Sequence, residues 1–136
     1  MKRINRLIFV LILVLLAGCS LESKPLETQT LSQFYDGDLS SVTKIVLFDG
    51  NSGAQKTTED KKVIDDFLNS IKDIQFIPDE NQEPRSGSNY TITLYQDGKD
   101  PFSFGPTHVN DHYYHTEPAI LSIMDDFYTN LELNAE

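Results

Sequence analysis

The first hydrophobic feature of the chain is an unbroken apolar run from Leu7 to Leu16, after which the sequence turns polar at Ser20 and stays so to Ser40. From Val42 onward, apolar residues recur with the periods of strands and helices. Val42-Thr43-Lys44-Ile45-Val46-Leu47-Phe48 is β-branched and aromatic. It is bounded by Ser40-Ser41 and by the turn-rich Asp49-Gly50-Asn51-Ser52-Gly53, which predicts a strand. Apolar residues at both odd and even positions make it read as a central strand, covered on both faces. Val63, Ile64, Phe67, Leu68 and Ile71 then recur at spacings of three and four, which places one apolar stripe on a helix. Thr57 or Thr58 would cap that helix, with Glu59 and Asp60 in its first turn at the positive end of the dipole.

Ile74-Gln75-Phe76-Ile77 predicts a short strand ended by Pro78, and a polar loop follows from Asp79 to Ser88. Tyr90-Thr91-Ile92-Thr93-Leu94-Tyr95 alternates strictly, with Tyr90, Ile92 and Leu94 on one face and Thr91, Thr93 and Tyr95 on the other. Asp97-Gly98 turns the chain toward an antiparallel partner, Phe102-Ser103-Phe104, stopped at Gly105-Pro106. A further strand, His112 to His115, follows the Asn110-Asp111 turn. A last helix would begin at Thr116 or Glu117 with Pro118 in its first turn. Ile120, Met124, Phe127 and Leu131 line one side of it, with Leu121, Ile123 and Tyr128 alongside. The order β-α-β-β-β-β-α predicts an α+β fold in two layers. Two amphipathic helices cover one face of a four- to five-stranded, mainly antiparallel sheet, leaving a Thr/Tyr-rich face open.

The N-terminal run belongs to a different part of the chain. Lys2, Arg3 and Arg6 before it and Ala17-Gly18 after it complete the three parts of an export signal. It is too short to cross a bilayer core, which takes roughly 20 apolar residues as a helix. Leu16-Ala17-Gly18-Cys19 resembles the lipobox of bacterial lipoproteins at all four positions. A thiol is the side-chain nucleophile best suited to take a diacylglyceryl group as a thioether, and small residues let a signal peptidase reach the Gly18–Cys19 bond. The competing reading is a buried cysteine closing a hydrophobic helix. Each buried methylene contributes about 0.8 kcal/mol, so two acyl chains hold stably where one holds marginally. Cys19 is the only cysteine, which excludes an internal disulfide. The expected organisation is a signal peptide over 1–18, a lipidated N-terminus and flexible tether over 19–40, a domain over 41–132 and a tail over 133–136. The tether would reach on the order of 25 Å. Leu31, Phe34 and Tyr35 are the tether residues that could instead pack on the domain.

Charge narrows the partners. Residues 1–18 hold three of the eleven cations and none of the 21 acids, so the net charge changes from −10 to −13 once they are removed. Nucleic-acid binders need basic patches to displace counterions, and anionic headgroups attract basic segments. Nucleic acid is therefore excluded as a partner, and contact with the membrane is expected through lipid on Cys19 alone.

From Val42 to Leu131 the string resembles the YhfM-like domain of small Bacillus-type lipoproteins. The segments that carry the likeness are Lys61-Lys62-Val63-Ile64-Asp65-Asp66-Phe67, Asn89-Tyr90-Thr91-Ile92-Thr93-Leu94-Tyr95, and Phe102-Ser103-Phe104 with Tyr113-Tyr114. They are mostly fold-determining residues. The resemblance implies a lipoprotein at the extracytoplasmic face of a Gram-positive cell membrane, and it carries over no catalytic residue.

Candidate chemistry is sparse. His108, His112 and His115 with Asp111 are ligand types for zinc or copper, although on a strand His112 and His115 would face opposite sides. Asp49-Gly50-Asn51-Ser52-Gly53 begins like a calcium loop with Asp60 eleven residues on. Ala54 stands where that loop needs glycine, and the last ligand is aspartate rather than glutamate. Ser103, His108 and Asp111 form a triad only in composition. Asp65-Asp66 and Asp125-Asp126 read as solvated helix faces. Elimination leads to the expectation of a non-enzymatic, cofactor-free binding module for a protein, peptide or envelope polymer, using the Thr/Tyr-rich face and the loop from Asp79 to Ser88. The alternatives are metal binding through His108, His112 and His115, or a structural or stress-related surface lipoprotein without a specific ligand. The anchor is testable by metabolic labelling with a palmitate analogue: Cys19→Ser should lose the label and accumulate at precursor size, and labelled protein of mature size would refute the lipobox assignment.

Overall fold

The computed structural model describes residues 24–87 and 89–133. Residues 1–23, which include the expected signal peptide and Cys19, lie outside them, as do Ser88 and residues 134–136. In chain order the elements are β1 (Gln29–Thr30), α1 (Leu31–Phe34), a 3-10 turn at Leu39–Ser41, β2 (Lys44–Asp49), β3 (Gln55–Thr58), α2 (Lys61–Ile71), β4 (Gln75–Pro78), β5 (Tyr90–Tyr95), β6 (Phe102–Phe104), β7 (His108–Val109), β8 (His112–Glu117) and α3 (Leu121–Leu133). The described residues thus form an α+β fold with three helices and one sheet, ordered β1-β4-β8-β7-β6-β5-β2-β3. Every strand pairing in it is antiparallel.

Eight strands stand where four to five were expected. The additional ones are β1, β3 and β7. β1 and β7 are two residues each, and β3 reads Gln55-Lys56-Thr57-Thr58, so none offers an apolar alternation long enough to recognise. The turn after β2 is consequently a hairpin turn rather than a strand-to-helix turn. Asp49 N–H donates to the Ala54 carbonyl at 2.9 Å, and Gly53 N–H donates to the Asp49 carbonyl at 2.8 Å. Thr57 and Thr58 pair with Val46 and Ile45 and so do not cap α2. Asp60 caps it, accepting from Lys62 N–H at 2.9 Å and Val63 N–H at 3.1 Å, as a short carboxylate at this position does.

The core lies on one face of the sheet. Ile45 and Leu47 of β2, Tyr90, Ile92 and Leu94 of β5, Phe104 of β6 and Phe76 of β4 are buried together with Ile64, Phe67, Leu68 and Ile71 of α2 and with Met124, Phe127 and Leu131 of α3. The two long helices meet through Phe67 and Phe127, whose rings stack with centroids 3.8 Å apart. The expectation that β2 is covered on both faces does not hold. Val46 is only half-buried and Phe48 is 42% exposed, because the helical residues of this core supply a second layer to the opposite face.

The last helix begins later than expected. Glu117 precedes Pro118, a position at which helical backbone clashes with the proline ring. β8 therefore continues through Glu117, with Thr116 opposite Phe76 and Glu117 opposite Gln75. The Thr116 hydroxyl accepts from Ile120 N–H at 2.9 Å just ahead of α3.

The folded unit extends N-terminal of residue 41. Gln29 and Thr30 pair with Phe76 and Gln75, and the Thr30 N–H donates to the Gln33 side chain at 2.8 Å to start α1. Leu31 is fully buried and Tyr35 nearly so. Phe34 packs edge-on against Phe76 and Tyr114 with centroids 5.7 and 5.4 Å away. Ser32 ties this segment to the end of α2 through bonds to the Lys72 carbonyl. Leu31→Ala should accordingly cost about 2–5 kcal/mol in chemical denaturation. A change within about 0.5 kcal/mol, the size usual for a solvated site, would show that the segment contributes nothing to the core.

Candidate binding site on the open face of the sheet

The alternation that buries one face of each strand leaves the other face outward. Registers align these outward residues across strands: Thr57 opposite Val46, Val46 opposite Thr93, and Thr93 opposite Ser103. None of the four is buried, and the Thr93 and Ser103 hydroxyls share a hydrogen bond of 2.9 Å. The Thr/Tyr-rich face expected from the strand sequences is therefore present and uncovered over these strands.

Beyond β6, the loop 79–87 is held against β8 by polar contacts. Asp79 N–H donates to the Tyr113 carbonyl at 3.0 Å, extending the β4–β8 ladder. The Gln82 amide side chain continues the ladder on the same residue, donating to the Tyr113 carbonyl at 2.8 Å and accepting from Tyr113 N–H at 2.9 Å. Arg85 N–H donates to the Tyr113 hydroxyl at 2.9 Å, and the Arg85 guanidinium lies 4.8 Å from the centre of the Tyr113 ring. The Asp79 carboxylate pairs with Arg85 at 2.8 Å and with His115 Nδ1 at 3.0 Å. Burial raises the Asp79 pKa, but hydrogen bonds and charge from His115 and Arg85 outweigh it and hold the carboxyl below its ordinary value. A groove of about 580 Å³ lies beside this loop, lined among others by Gln82, Arg85, Thr107, His108, Asp111 and Tyr113.

His108 forms the floor of the groove over a glycine. A side chain at Gly105 would place its Cβ 2.2 Å from the His108 ring and 2.9 Å from the Tyr90 carbonyl, so the imidazole occupies space that only glycine leaves open. Partial burial there depresses the His108 pKa below 6.5 and favours the neutral ring.

The histidines are divided between the faces. His108 pairs with Tyr113 and His112 with Val109, which puts His108 outward and His112 on the opposite side of the ladder. His115, three residues from His112 on the same strand, faces away from it and meets Asp79. Among the described residues, no group of three or more His, Cys, Asp or Glu side chains is placed to hold a metal ion. The calcium-loop residues also separate. Asp49 accepts from Asn51 N–H and the Ser52 hydroxyl within its own turn, and these bonds, Ser52 first, lower its pKa, while Asp60 caps α2. Ser103 bonds Thr93. Asp65 and Asp66 pair with Lys61 and Lys62 on the outer side of α2. Asp125 bonds the hydroxyl of Tyr90, a residue 8% exposed overall; desolvation first, then this carboxylate, pushes Tyr90 up to about 12.

Gln82 and Arg85 are the site residues that periodicity does not reveal, since both fall in a polar loop. The one available signal is that Arg85 is the sole arginine downstream of Cys19. Fold and site together define a small α+β domain with a one-sided core and an open polar and aromatic sheet face. No family model, curated protein or solved structure matches the chain. No helix among the described residues is long and apolar enough to cross a membrane.

His108 gives this region a pH dependence. Because its folded pKa is depressed, its contribution is full above 6.5 and is lost as pH falls through the lower folded value. Thermal unfolding followed downward from pH 7 should show a stability loss in that window which His108→Gln removes. An unchanged slope in the variant would refute the assignment to His108.

Proposed function

We propose that the protein is a lipid-anchored, extracytoplasmic lipoprotein whose domain is a non-enzymatic binding module for a protein, peptide or envelope polymer. The open sheet face and the groove at loop 79–87 form its binding surface. One observation supports this reading above the others: a loop without regular structure is fixed onto Tyr113 by Gln82, Arg85 and Asp79, which holds a polar and aromatic groove in a defined shape. Polar groups fixed in advance lose little entropy when a ligand arrives. The lipobox at Leu16 to Cys19 and the resemblance to the YhfM-like domain support placement at the outer face of a cell membrane. The acidic composition leaves attachment to the lipid.

A photo-crosslinking residue at Thr93 or Tyr113, compared with one at Lys62 on the solvent side of α2, tests the reading in intact cells. Adducts from positions 93 or 113 that are absent at 62 are the expected result. No adducts, or the same adducts from all three positions, would leave a structural lipoprotein without a specific ligand as the better description.

A further inference from the structure

The open face divides into two regions of different charge. Over β4 and β8 it carries His115, Glu117 and the Asp79–Arg85 pair. Over β3, β2, β5 and β6 the outward positions of the described residues hold no carboxylate, although the chain has 21 acids, and the only ionic group there is Lys44. Carboxylates return at the rim, in Asp97 and Asp100 of the β5–β6 loop.

The registers set this region out in rows. Thr57, Val46, Thr93 and Ser103 make a central row across four strands, about 14 Å at the usual strand spacing. Phe48, with Gln55 and Thr91, flanks it on one side, and Tyr95 with Lys44 flanks it on the other. Phe48 is the exposed large hydrophobic side chain among the described residues. The Lys44 ammonium lies 4.2 Å from the centre of the Tyr95 ring.

Charge decides between ligands for such a surface. A polyanion needs several cations, and one lysine already engaged by a tyrosine ring does not supply them. A basic peptide needs carboxylates, which this region lacks. A second copy would bring up another strongly negative body against long-range repulsion. A neutral glycan has neither requirement. It needs hydroxyl partners along a flat surface and an aromatic ring to cover its C–H faces, which the central row and Phe48 provide.

We propose that the acid-free face over β3, β2, β5 and β6 binds the uncharged sugar backbone of an envelope polysaccharide. The proposal rests on the binding-module reading and specifies the polymer within it. Thr93 and Ser103 contribute hydrogen bonds at the centre of the row, and Phe48 contributes apolar cover beside it.

Co-sedimentation of the full chain in detergent micelles with insoluble chitin, with cellulose, and with cell-wall sacculi stripped of phosphate polymers tests this. The protein should sediment with at least one of the three. Retention should survive a rise from about 0.15 to about 1 M salt, which screens attraction between exposed charges. Thr93→Glu, which puts a carboxylate in the row, and Phe48→Ser, which removes the ring without adding charge, should each lower the apparent affinity about tenfold. Lys62→Glu should not. Thermal unfolding of each variant separates lost binding from lost fold. Retention on none of the probes, or retention unaffected by both variants, overturns the proposal. Crosslinks from position 93 to a protein without glycan retention would sink the polysaccharide and leave the binding module standing, whereas absence of both would sink both.

Discussion

The structure depends on the register of β5 between β2 and β6. Tyr90, Ile92 and Leu94 sit opposite Asp49, Leu47 and Ile45 on one side, and Ile92 and Leu94 sit opposite Phe104 and Phe102 on the other. Side chains alternate with a period of two, so a slip by one residue would turn every one of these to solvent and bring Thr91, Thr93 and Tyr95 into the core. Hydroxyl groups there would lose their water without gaining partners, at a cost of the order of 1–3 kcal/mol each. The inner face therefore fixes the outer one. The row of Thr57, Val46, Thr93 and Ser103 exists because Ile45, Leu47, Ile92 and Phe104 must face the helices.

That dependence explains which parts of the fold were legible in the sequence. β5 could be read because its alternation is strict. The apolar face of α3 could be read because Met124, Phe127 and Leu131 recur at helical spacing, continuing from Ile120 just ahead of the helix, and all four are buried. The sequence was uninformative where stability comes from pairing rather than from apolar side chains. β3 has no apolar residue, and it is held at the edge by backbone bonds to β2 and by Lys56, whose ammonium donates to the Tyr128 carbonyl of α3 at 3.0 Å. β1 and β7 are too short to show a period. β2 misled because Val46 and Phe48 are as apolar as Ile45 and Leu47, and composition alone does not say that the second layer stops at one face. α1 was obscured by the polar residues around Leu31, Phe34 and Tyr35, although a few large side chains suffice to hold a short helix on a core.

The candidate site was legible in outline only. A Thr/Tyr-rich face follows from the alternation of β5, but the loop 79–87 has no period to read, and its contacts come from residues far apart in sequence, such as Gln82 with Tyr113 and Asp79 with His115. Gly105 shows the same limit. It reads as a strand stop before Pro106, whereas in the structure its missing side chain is what lets the His108 ring lie against β6. The histidine cluster was misleading in the opposite sense. Closeness in sequence suggested a common ligand, and the two-residue turn at Asn110-Asp111, with Asn110 at φ 53°, sends His108 and His112 to different faces.

The position of the chain's entry into the sheet relates the proposed anchor to the acid-free face. Residues N-terminal of Gln29 join at β1, one edge of the sheet, and β3 is the other edge. Five strand steps separate β1 from β5, about 24 Å at the usual spacing. Under the proposed anchoring on Cys19, the lipid would lie on the β1 side of the chain's entry, whereas the acid-free region lies toward the other edge of the sheet. For a domain so anchored, its acidic charge would be repelled by anionic headgroups. That repulsion decays over about 8 Å at physiological ionic strength, so it opposes close approach without setting the tilt of the domain. The point of entry itself is fixed by the pairing of Gln29 and Thr30 with β4 and by the burial of Leu31, so the same packing that completes the core also sets which edge of the sheet the N-terminal segment leaves from.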